Sequence, residues 1–263
     1  MSGILEKLFS VAGKTAIVTG GAKGVGGMIS STLVEAGAKV LIVGRDAEQG
    51  RAFAAKLKGA GTAEFLSHDL SSAEGVDAAA ADIAGRVSAV HILVNNAGLF
   101  SAGAIEEADA DRWDRELGLN LRAPFFLVRA LLPLLEAASA PGDPARVISI
   151  GSIGALWGRS SNGAYAYGAS KAAVHQLTRM LASDLTAKGI TVNAVAPGFF
   201  PSDMTDGFFS AVPGLKEQVV AGIPSGRLGT AEDIGGAILF LSSRAGAYVS
   251  GTVLPVEGAL WQA

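Results

Sequence analysis

Seven short runs rich in Val, Ile and Leu recur along the chain, and they constrain the fold more than any other feature. They lie at 15–20, 39–44, 63–70, 91–98, 145–151, 190–198 and 252–258. Most are continuously apolar, which is typical of parallel strands buried on both faces of a sheet. Ala- and Leu-rich segments typical of helices separate them, at 26–37, 46–60, 71–87, 110–138, 166–188 and 231–243. The alternation predicts an α/β fold, a single Rossmann-type doubly wound parallel sheet flanked by helices on both faces.

Composition indicates the scale of the core. No linker or internal repeat divides the 263 residues, so we expect one domain that spans 1–263. Hydrophobic residues make up 49% of the chain and charged residues only 17%. A chain with so little polar surface is expected to bury a large core and to cover apolar faces by self-association.

Composition also disfavours several classes of protein. The net charge of −3 argues against nucleic acid as a partner, and the absence of cysteine excludes disulfides, thiolate zinc sites and a cysteine nucleophile. The three histidines are scattered, so we expect no metal site. Residues 1–14 lack the apolar core of a signal peptide, and the apolar segment 123–135 is too short to span a bilayer. We therefore expect a cytoplasmic protein with no membrane partner.

The first strand runs directly into a glycine-rich turn. Gly20, Gly24 and Gly26 form the pattern T-G-x-x-x-G-x-G between this strand and the helix that follows. Glycines allow a tight turn and close approach of the backbone to a pyrophosphate, which the free N–H groups of the helix N-terminus bind. The alternative is a turn that only packs helix on strand, and the strand–turn–helix–strand context favours the dinucleotide site.

The end of the second strand discriminates between NAD and NADP. An acidic residue there binds the ribose diol of NAD, whereas an arginine accommodates the 2′-phosphate of NADP. This chain has Gly44 followed by Arg45, and Lys23 in the glycine loop is a second cation, unless it is merely solvated. Asp46 is interpreted as a helix N-cap, with Gln49 completing a capping box. The two cations, with no free acid beside them, favour NADP(H).

A tyrosine and a lysine four residues apart form a third candidate feature. Tyr167 and Lys171 share a helix face at this spacing, whereas Tyr165 has Ala169 there. A phenol has a pKa of about 10, and a nearby ammonium lowers it. With Ser152 holding a substrate carbonyl, Tyr167 can protonate the oxygen as hydride reaches the carbon. Taken alone, the Y-x-x-x-K pair fits an ordinary surface helix better.

Several motifs, in order along the chain, resemble those of the short-chain dehydrogenase/reductase family, and the resemblance covers essentially the whole sequence. "TGGAKGVG" (19–26) resembles its cofactor loop, "NNAG" (95–98) its second signature and "APGFFPSDMT" (196–205) its segment at the nicotinamide end. "LGLN" supplies Asn120, and Ser152 with "YGASK" completes an Asn-Ser-Tyr-Lys set. Ordered motifs at this spacing are highly specific.

The resemblance implies a role for each residue of this set. Tyr167 is the general acid in reduction and the base in oxidation, and Lys171 lowers the pKa of Tyr167 and binds the nicotinamide ribose. Ser152 orients the substrate oxygen, and Asn120 holds a water that continues a proton relay from Lys171.

The resemblance also implies which residues bind the cofactor. Besides Tyr167 and Lys171, they are Gly20, Lys23, Gly24, Val25, Gly26 and Arg45 at the phosphates; Asp69 and Leu70 beside the adenine; Asn96, Ala97 and Gly98 along the middle; and Pro197, Gly198, Phe200 and Ser202 at the nicotinamide end.

The segment 199–224 is the strongest indication of a substrate site. It carries four phenylalanines in eleven residues, more than a solvated loop needs. One interpretation is a mobile lid with an apolar inner wall over the substrate, and the other is a helix pair that packs on the body. Trp157 is either a further wall of the site or a cap on the core. No cluster of Arg or Lys marks a site for a small acid, which favours an apolar or extended carbonyl substrate.

Within the family, the C-terminal half resembles NADPH-dependent 3-oxoacyl reductases of the rhamnolipid-biosynthesis type. The segments that carry this resemblance are 145–152, 164–182, 196–205 and 246–258. They imply reduction of a 3-oxoacyl thioester. The alternative is a carbonyl reductase or secondary alcohol dehydrogenase that acts on small or bulky ketones. A third hypothesis, a non-catalytic NADP-binding protein, is disfavoured by the intact Asn-Ser-Tyr-Lys set.

Two helical segments indicate how copies of the chain associate. Residues 119–138 and 170–187 carry apolar side chains on more than one face, whereas a surface helix shows a single stripe. The family resemblance implies that these helices pair across a dimer axis, usually within a tetramer. Burial inside the monomer is the alternative.

Overall fold

A seven-stranded parallel sheet forms the centre of the molecule. The computed structural model describes residues 3–156, 163–210 and 213–260. The strands are β1 (Thr15–Thr19), β2 (Lys39–Gly44), β3 (Thr62–Ser67), β4 (Ile92–Asn95), β5 (Ala145–Ile150), β6 (Ile190–Pro197) and β7 (Val253–Val256). They lie in the order β3-β2-β1-β4-β5-β6-β7, and each neighbouring pair is parallel. The order reverses between β1 and β4, and ligands bind in such sheets at the carboxyl ends of the strands beside the reversal.

The helices connect these strands in chain order. Among the described residues they are α1 (Ile4–Phe9), α2 (Gly24–Glu35), α3 (Ala47–Lys56), α4 (Ala73–Arg86), α5 (Ala110–Leu117), α6 (Ala123–Ala138), α7 (Tyr165–Leu185), α8 (Asp203–Ser210), α9 (Leu215–Gly222) and α10 (Ala231–Ser242). Each helical segment expected from the sequence contains a helix. The short helix α1, which the sequence pattern does not indicate, has no buried residue.

Each face of the sheet packs against its own layer of helices. One hydrophobic cluster joins the sheet to α4, α6 and the end of α7, and the other joins it to α2, α3 and α10. Within β1, Ile17 belongs to the first cluster, whereas Ala16 and Val18 belong to the second, because successive side chains of a strand alternate between faces. The predicted doubly wound sheet with helices on both faces is confirmed. Burial on both sides explains the continuous apolar runs.

A wide helical turn carries one of the predicted site residues. The sequence predicts helix over 110–138, but the structure divides this segment into α5, a π-helical turn at Gly118–Arg122 and α6. Pro124 has no N–H group to offer the carbonyl of Asn120 four residues earlier, so a regular α-helical turn cannot close there. Such π-helical turns are frequent at functional sites. Here the turn contains Asn120, whose side chain is buried.

The segment that follows β6 forms the helices α8 and α9. The two phenylalanines of α8 cluster with Phe199, whose ring centroid lies 6.0 Å from that of Phe208 and 5.9 Å from that of Phe209. The helix pair that the sequence offers as one interpretation of 199–224 is therefore present, and the mobile lid stays a prediction. Trp157 lies outside the described residues.

Two negative findings apply to the part of the chain that the structure describes. None of its helices combines the length and apolar character that crossing a bilayer requires. Its His, Asp and Glu side chains do not form a group of three or more that could hold a metal ion.

Candidate active site

The glycine turn after β1 forms a cradle of bare backbone. Gly20 and Gly24 have φ angles of 62° and 51°, in the left-handed region that glycine adopts without strain. A Cβ atom at Gly26 would overlap the carbonyl oxygen of Gly20 and Nδ2 of Asn96. No side chain in the described chain caps the N-terminus of α2, so its first N–H groups remain available. A cradle of this kind fits a pyrophosphate, as the sequence predicts.

Two cations lie at the edge of this cradle. Arg45 is exposed at the end of β2 and lines the same cavity as Lys23. Nζ of Lys23 lies 3.1 Å from Oδ2 of Asp203 on α8, in a pair that is largely exposed and therefore weak. The carboxylate of Asp46 accepts a hydrogen bond from the N–H of Gln49 at 2.9 Å, which confirms the predicted N-cap. Asp46 is thus occupied, and Arg45 remains to meet a phosphate.

The segment after β4 is tied to the glycine cradle. Oγ1 of Thr19 accepts hydrogen bonds from the N–H groups of Asn96 and Ala97, at 2.9 and 3.0 Å. Nδ2 of Asn96 donates to the carbonyl oxygens of Thr19 and Gly20, at 2.9 and 3.1 Å. The amide side chain of Asn96 thus fixes the position of the cradle.

Ser152, Tyr167 and Lys171 converge between the end of β5 and the start of α7. Nζ of Lys171 donates to the carbonyl oxygen of Ile150 at 2.7 Å and lies 5.7 Å from the ring centroid of Tyr167. Ser152 and Tyr167 line the same cavity, and Ser152 acts to lower the pKa of the Tyr167 hydroxyl. Tyr165, in contrast, is 41% exposed. Of the two tyrosines, it is Tyr167 that faces the lysine, as the sequence spacing predicts.

Burial dominates the electrostatics of this group. Burial raises the pKa of Tyr167, and this outweighs the effect of Ser152, which acts to lower that pKa. It also lowers the pKa of Lys171 to about 8, because the charged form of a buried lysine is disfavoured. The Y-x-x-x-K spacing predicts a lowered pKa for the Tyr167 phenol, and this prediction is wrong for the structure. The pKa is raised, because desolvation outweighs the interactions that favour the phenolate.

Asn120 stands behind this group and holds the loop that follows β4. Its Oδ1 accepts from the N–H of Leu99 at 2.7 Å, and its Nδ2 donates to the Leu99 carbonyl at 2.9 Å and to Oγ of Ser170 at 3.0 Å. Gly98 makes room for this contact, because a Cβ there would lie 3.2 Å from Oδ1 of Asn120 and 3.6 Å from Nζ of Lys171. Both amide N–H positions are engaged, so the water of the predicted relay would have to bind to an oxygen of Asn120.

A cavity of about 1200 Å³ brings most of the predicted site residues together. Those that line it are Gly20, Lys23, Gly24, Val25, Gly26, Arg45, Asn96, Ala97, Gly98, Ser152, Tyr167, Lys171, Pro197, Gly198, Phe200 and Ser202. The remaining three do not line it. Asn120 is buried behind the wall, Leu70 is packed in the core cluster, and the exposed Asp69 accepts a hydrogen bond from the N–H of Ser71 at 3.0 Å.

A second cavity, of about 510 Å³, adjoins the first. Its described lining contains no Asp, Glu, Lys or Arg, and it is formed by small and apolar residues that include Ile153, Ala155 and Phe199. Ser152 and Tyr167 line both cavities. Their hydroxyl groups therefore lie at the boundary between the larger cavity and the second, apolar cavity.

Phe100 and Glu116 are among the residues that line the larger cavity and that the sequence motifs do not indicate. Phe100 is the second residue after "NNAG", and its ring contacts that of Tyr167 edge-on, with centroids 5.1 Å apart. Glu116 is buried, and it lies four residues before Asn120. That helical spacing is the one signal that could have drawn attention to it.

Comparison with known proteins identifies the family. A family model described as enoyl-(acyl carrier protein) reductase matches residues 20–260. The rhamnolipids biosynthesis 3-oxoacyl-[acyl-carrier-protein] reductase of Pseudomonas aeruginosa is 42% identical, over 97% of this chain and 98% of that protein. The chain belongs to the short-chain dehydrogenase/reductase family. The predicted family, and with it the prediction of an oxidoreductase, is confirmed.

Solved structures agree with this assignment. The RhlG/NADP active-site complex of Pseudomonas aeruginosa has a TM-score of 0.92 at 41% identity and covers 97% of this chain and 99% of that chain. A protein from Beutenbergia cavernae, described as an NAD(P)-dependent gluconate 5-dehydrogenase and containing NADP, has a TM-score of 0.88 at 38% identity, with coverage of 97% and 99%. Family members this similar thus carry names from two substrate classes.

Proposed function

We propose that this protein is an NADP(H)-dependent reductase that converts a 3-oxoacyl thioester into the secondary alcohol. The observation that carries the proposal is the position of Ser152 and Tyr167 in the lining of both cavities. One cavity contains the glycine cradle and its cations, and the other is apolar and uncharged. A carbonyl group held at these two hydroxyls would face a dinucleotide on one side and have room for an acyl chain on the other.

The cofactor would be held by backbone at its centre and by cations at its edge. The glycine turn and the N-terminus of α2 would bind the pyrophosphate, and Arg45 with Lys23 would bind the 2′-phosphate that distinguishes NADP from NAD. NADP is present in both solved relatives described above, which supports this choice. When bound, NADPH supplies the hydride. All other steps belong to residues of the chain.

Tyr167 would protonate the carbonyl oxygen while Ser152 donates a hydrogen bond to it. Because its pKa is raised, Tyr167 keeps its proton at neutral pH and is ready to act as the acid, which favours reduction. Lys171, with a pKa of about 8, is mostly ammonium at pH 7 and provides positive charge beside the phenol. Reduction should therefore slow as the pH rises through about 8 and the ammonium is lost.

The apolar cavity supports an acyl chain as the substrate. Burying apolar surface contributes about 25 cal/mol per Å², whereas this lining offers no charged partner to a small acid or a polyol. The name of the 42% identical relative, a 3-oxoacyl-[acyl-carrier-protein] reductase, points to the same class. The predicted lid over 199–224 would close this apolar cavity.

The test is oxidation of NADPH by the purified protein with a medium-chain 3-oxoacyl thioester, in the native protein and in Tyr167→Phe. We expect rapid turnover with NADPH, little with NADH, and a loss of roughly 10²- to 10⁴-fold in kcat in the variant, since that is the usual contribution of a general acid. Tyr165→Phe is the matched control and should retain activity. If the native protein gives no turnover with the thioester, the proposed substrate is wrong.

A carbonyl reductase of small polar ketones is the second candidate. The solved relative described as a gluconate 5-dehydrogenase favours it. Such activity would use the same Ser152, Tyr167 and Lys171. It is distinguished by turnover of 5-keto-gluconate in preference to the thioester.

We also propose that the protein acts as a homodimer or homotetramer in the cytoplasm. Phe125 on α6 is 39% exposed and Met180 on α7 is 58% exposed, and both would be covered by pairing of these helices between copies. Light scattering of the purified protein tests the assembly. A monomeric mass at micromolar concentration would contradict it.

A further inference from the structure

A buried carboxylate lies beside the proposed catalytic residues without a part in the mechanism above. Glu116 on α5 is 1% exposed. Its Oε2 accepts a hydrogen bond from Oγ of Ser101, while its Oε1 is buried and has no hydrogen-bond partner among the residues that the structure describes. An ionised carboxylate in such a place is costly unless a positive charge compensates it.

The groups around Glu116 show which positive charge can compensate its carboxylate. On its own helix, Arg112 lies four residues earlier and interacts with it, but Arg112 is exposed and its charge is screened by solvent. From α7, which packs on α5, the groups that interact with Glu116 are Lys171 and Tyr167. From the loop after β4 it meets only the uncharged Ser101 among the described groups. Lys171 is 5% exposed and lines the same cavity as Glu116, so it is the buried cation that can compensate the carboxylate.

Glu116 also holds one end of a short loop. Asn120 binds Leu99 through both its N–H and its carbonyl group, and Glu116 binds Ser101 two residues later. Phe100 lies between these attachments, with its ring edge-on to Tyr167 at an interplanar angle of 72°. The two side chains thus clamp the loop that places an aromatic wall against the tyrosine.

We propose that Glu116 is a positioning residue of the active site, which holds Lys171 as an ammonium by its charge and holds Phe100 against Tyr167 through Ser101. The inference rests on the proposed function, because Lys171 and Tyr167 have catalytic roles only there. It assigns to the reaction a carboxylate that no motif of the family resemblance includes.

The sign of the charge effect follows from electrostatics. A negative charge at Glu116 raises the pKa of Lys171, which opposes burial, and raises that of Tyr167. Burial raises the pKa of Glu116 itself, so the effect is complete only above that pKa. Glu116→Gln keeps an oxygen for Ser101 and removes the charge. The pKa of Lys171 should fall below about 8 in this variant, and that of Tyr167 should fall as well.

The first measurement is ultraviolet titration of the tyrosinates, which needs no substrate. The chain has three tyrosines, so subtracting the titration of Tyr167→Phe isolates Tyr167. We expect its titration to move to lower pH in Glu116→Gln, and to stay unchanged in Glu106→Gln, a matched control at an exposed position. An unchanged Tyr167 titration in Glu116→Gln overturns the charge effect.

The second measurement is the pH profile of thioester reduction by NADPH. In Glu116→Gln the alkaline limb should move to lower pH and kcat should fall roughly 3- to 10-fold, a fraction of the effect of a general acid. Ser101→Ala loses the clamp but keeps the charge, so it should lower kcat without moving the limb. A purely structural Glu116 would leave the limb in place, which overturns the inference. A shifted titration in a protein without thioester turnover would instead overturn the proposed function and leave the charge effect standing.

Discussion

The two walls of the candidate cleft are built in different ways. The cofactor wall, formed by the glycine turn and the segment 96–98, is a close fit of backbone against backbone, in which a Cβ atom at Gly26 would overlap Gly20. The substrate wall, formed by Phe199 and α8, is a surface of side chains. A Cβ atom at Gly207 on α8 would meet nothing within 4 Å.

This difference explains why the cofactor is easier to predict from the sequence than the substrate. A wall of close backbone contacts tolerates only glycine at fixed positions, so a cofactor site of this kind is visible in the sequence as a glycine motif. A wall of apolar side chains can be made from many combinations of residues, since cores accept volume-conserving exchanges at small cost. The cofactor class therefore follows from a sequence motif, whereas the substrate is inferred from the shape and charge of a cavity.

Gly26→Ala tests the cofactor wall and should have the largest effect. The added methyl group must displace the Gly20 carbonyl or the Asn96 side chain, so we expect NADPH binding to weaken about 100-fold, comparable to the loss of one or two hydrogen bonds to a charged group. Fluorescence titration with NADPH measures it. Gly85→Ala on α4, where a Cβ would meet nothing within 4 Å, is the control. Unchanged affinity in Gly26→Ala would show that the wall is less rigid than its contacts indicate.

Arg45→Ala tests the cations at the edge of the same wall. One charged hydrogen bond contributes about 1.5–3 kcal/mol, so we expect NADPH affinity to fall about tenfold or more, while NADH affinity changes little. Lys23→Ala should act in the same direction but less, because Lys23 also pairs with Asp203. The control is Arg51→Ala, an exposed arginine on α3. An equal loss for both cofactors would mean that Arg45 does not read the 2′-phosphate.

The fold was predictable because its signals are repeated along the chain. Each buried strand is a continuous apolar run, and each run carries the same information about parallel pairing and burial on both faces. The geometry of the candidate site was predictable where a helix fixes the spacing, as for Tyr167 and Lys171, or where close packing demands glycine, and the roles of these residues stay predictions. The N-cap at Asp46 was predictable because its bond to Gln49 is local.

The remaining features depend on contacts between distant parts of the chain. The π-helical turn at Asn120 follows from Pro124 together with the bonds of Asn120 to Leu99 and Ser170, and no helical periodicity reveals it. The raised pKa of Tyr167 depends on how deeply α7 packs, which a four-residue spacing does not report. Glu116 resembles any surface glutamate until α5 is placed against α7.

Phe208→Ala tests the substrate wall, with a smaller effect than either cofactor-side change. Phe208 lines both cavities, so its removal shortens the apolar contact for a long acyl chain and leaves a short one almost unaffected. A few methylene contacts are worth about 1–3 kcal/mol, and we expect the ratio of kcat/KM between long and short 3-oxoacyl thioesters to fall about tenfold. Phe9→Ala, on the exposed helix α1, should leave the ratio unchanged. If the ratio is unchanged in Phe208→Ala, the acyl chain of the substrate does not bind against Phe208.

Gly207→Ala has the smallest expected effect and gives the sharpest contrast with Gly26→Ala. Its Cβ would enter open space on α8, and alanine is favoured over glycine within a helix, so the free energy of unfolding should rise by about 0.5–1 kcal/mol. Chemical denaturation measures this. Gly207 lines the larger cavity, but its added methyl group displaces no atom, so NADPH affinity should fall far less than in Gly26→Ala. The same variant probes the predicted lid. If α8 moves as a rigid helix, kcat stays within about twofold of the native value, because the added methyl group lies within the helix and not in the segments that connect it to the body. If α8 must unwind to admit the substrate, the stabilised helix opens less often and kcat falls. A loss of stability would contradict the helical environment of Gly207 and remove the contrast between the two walls.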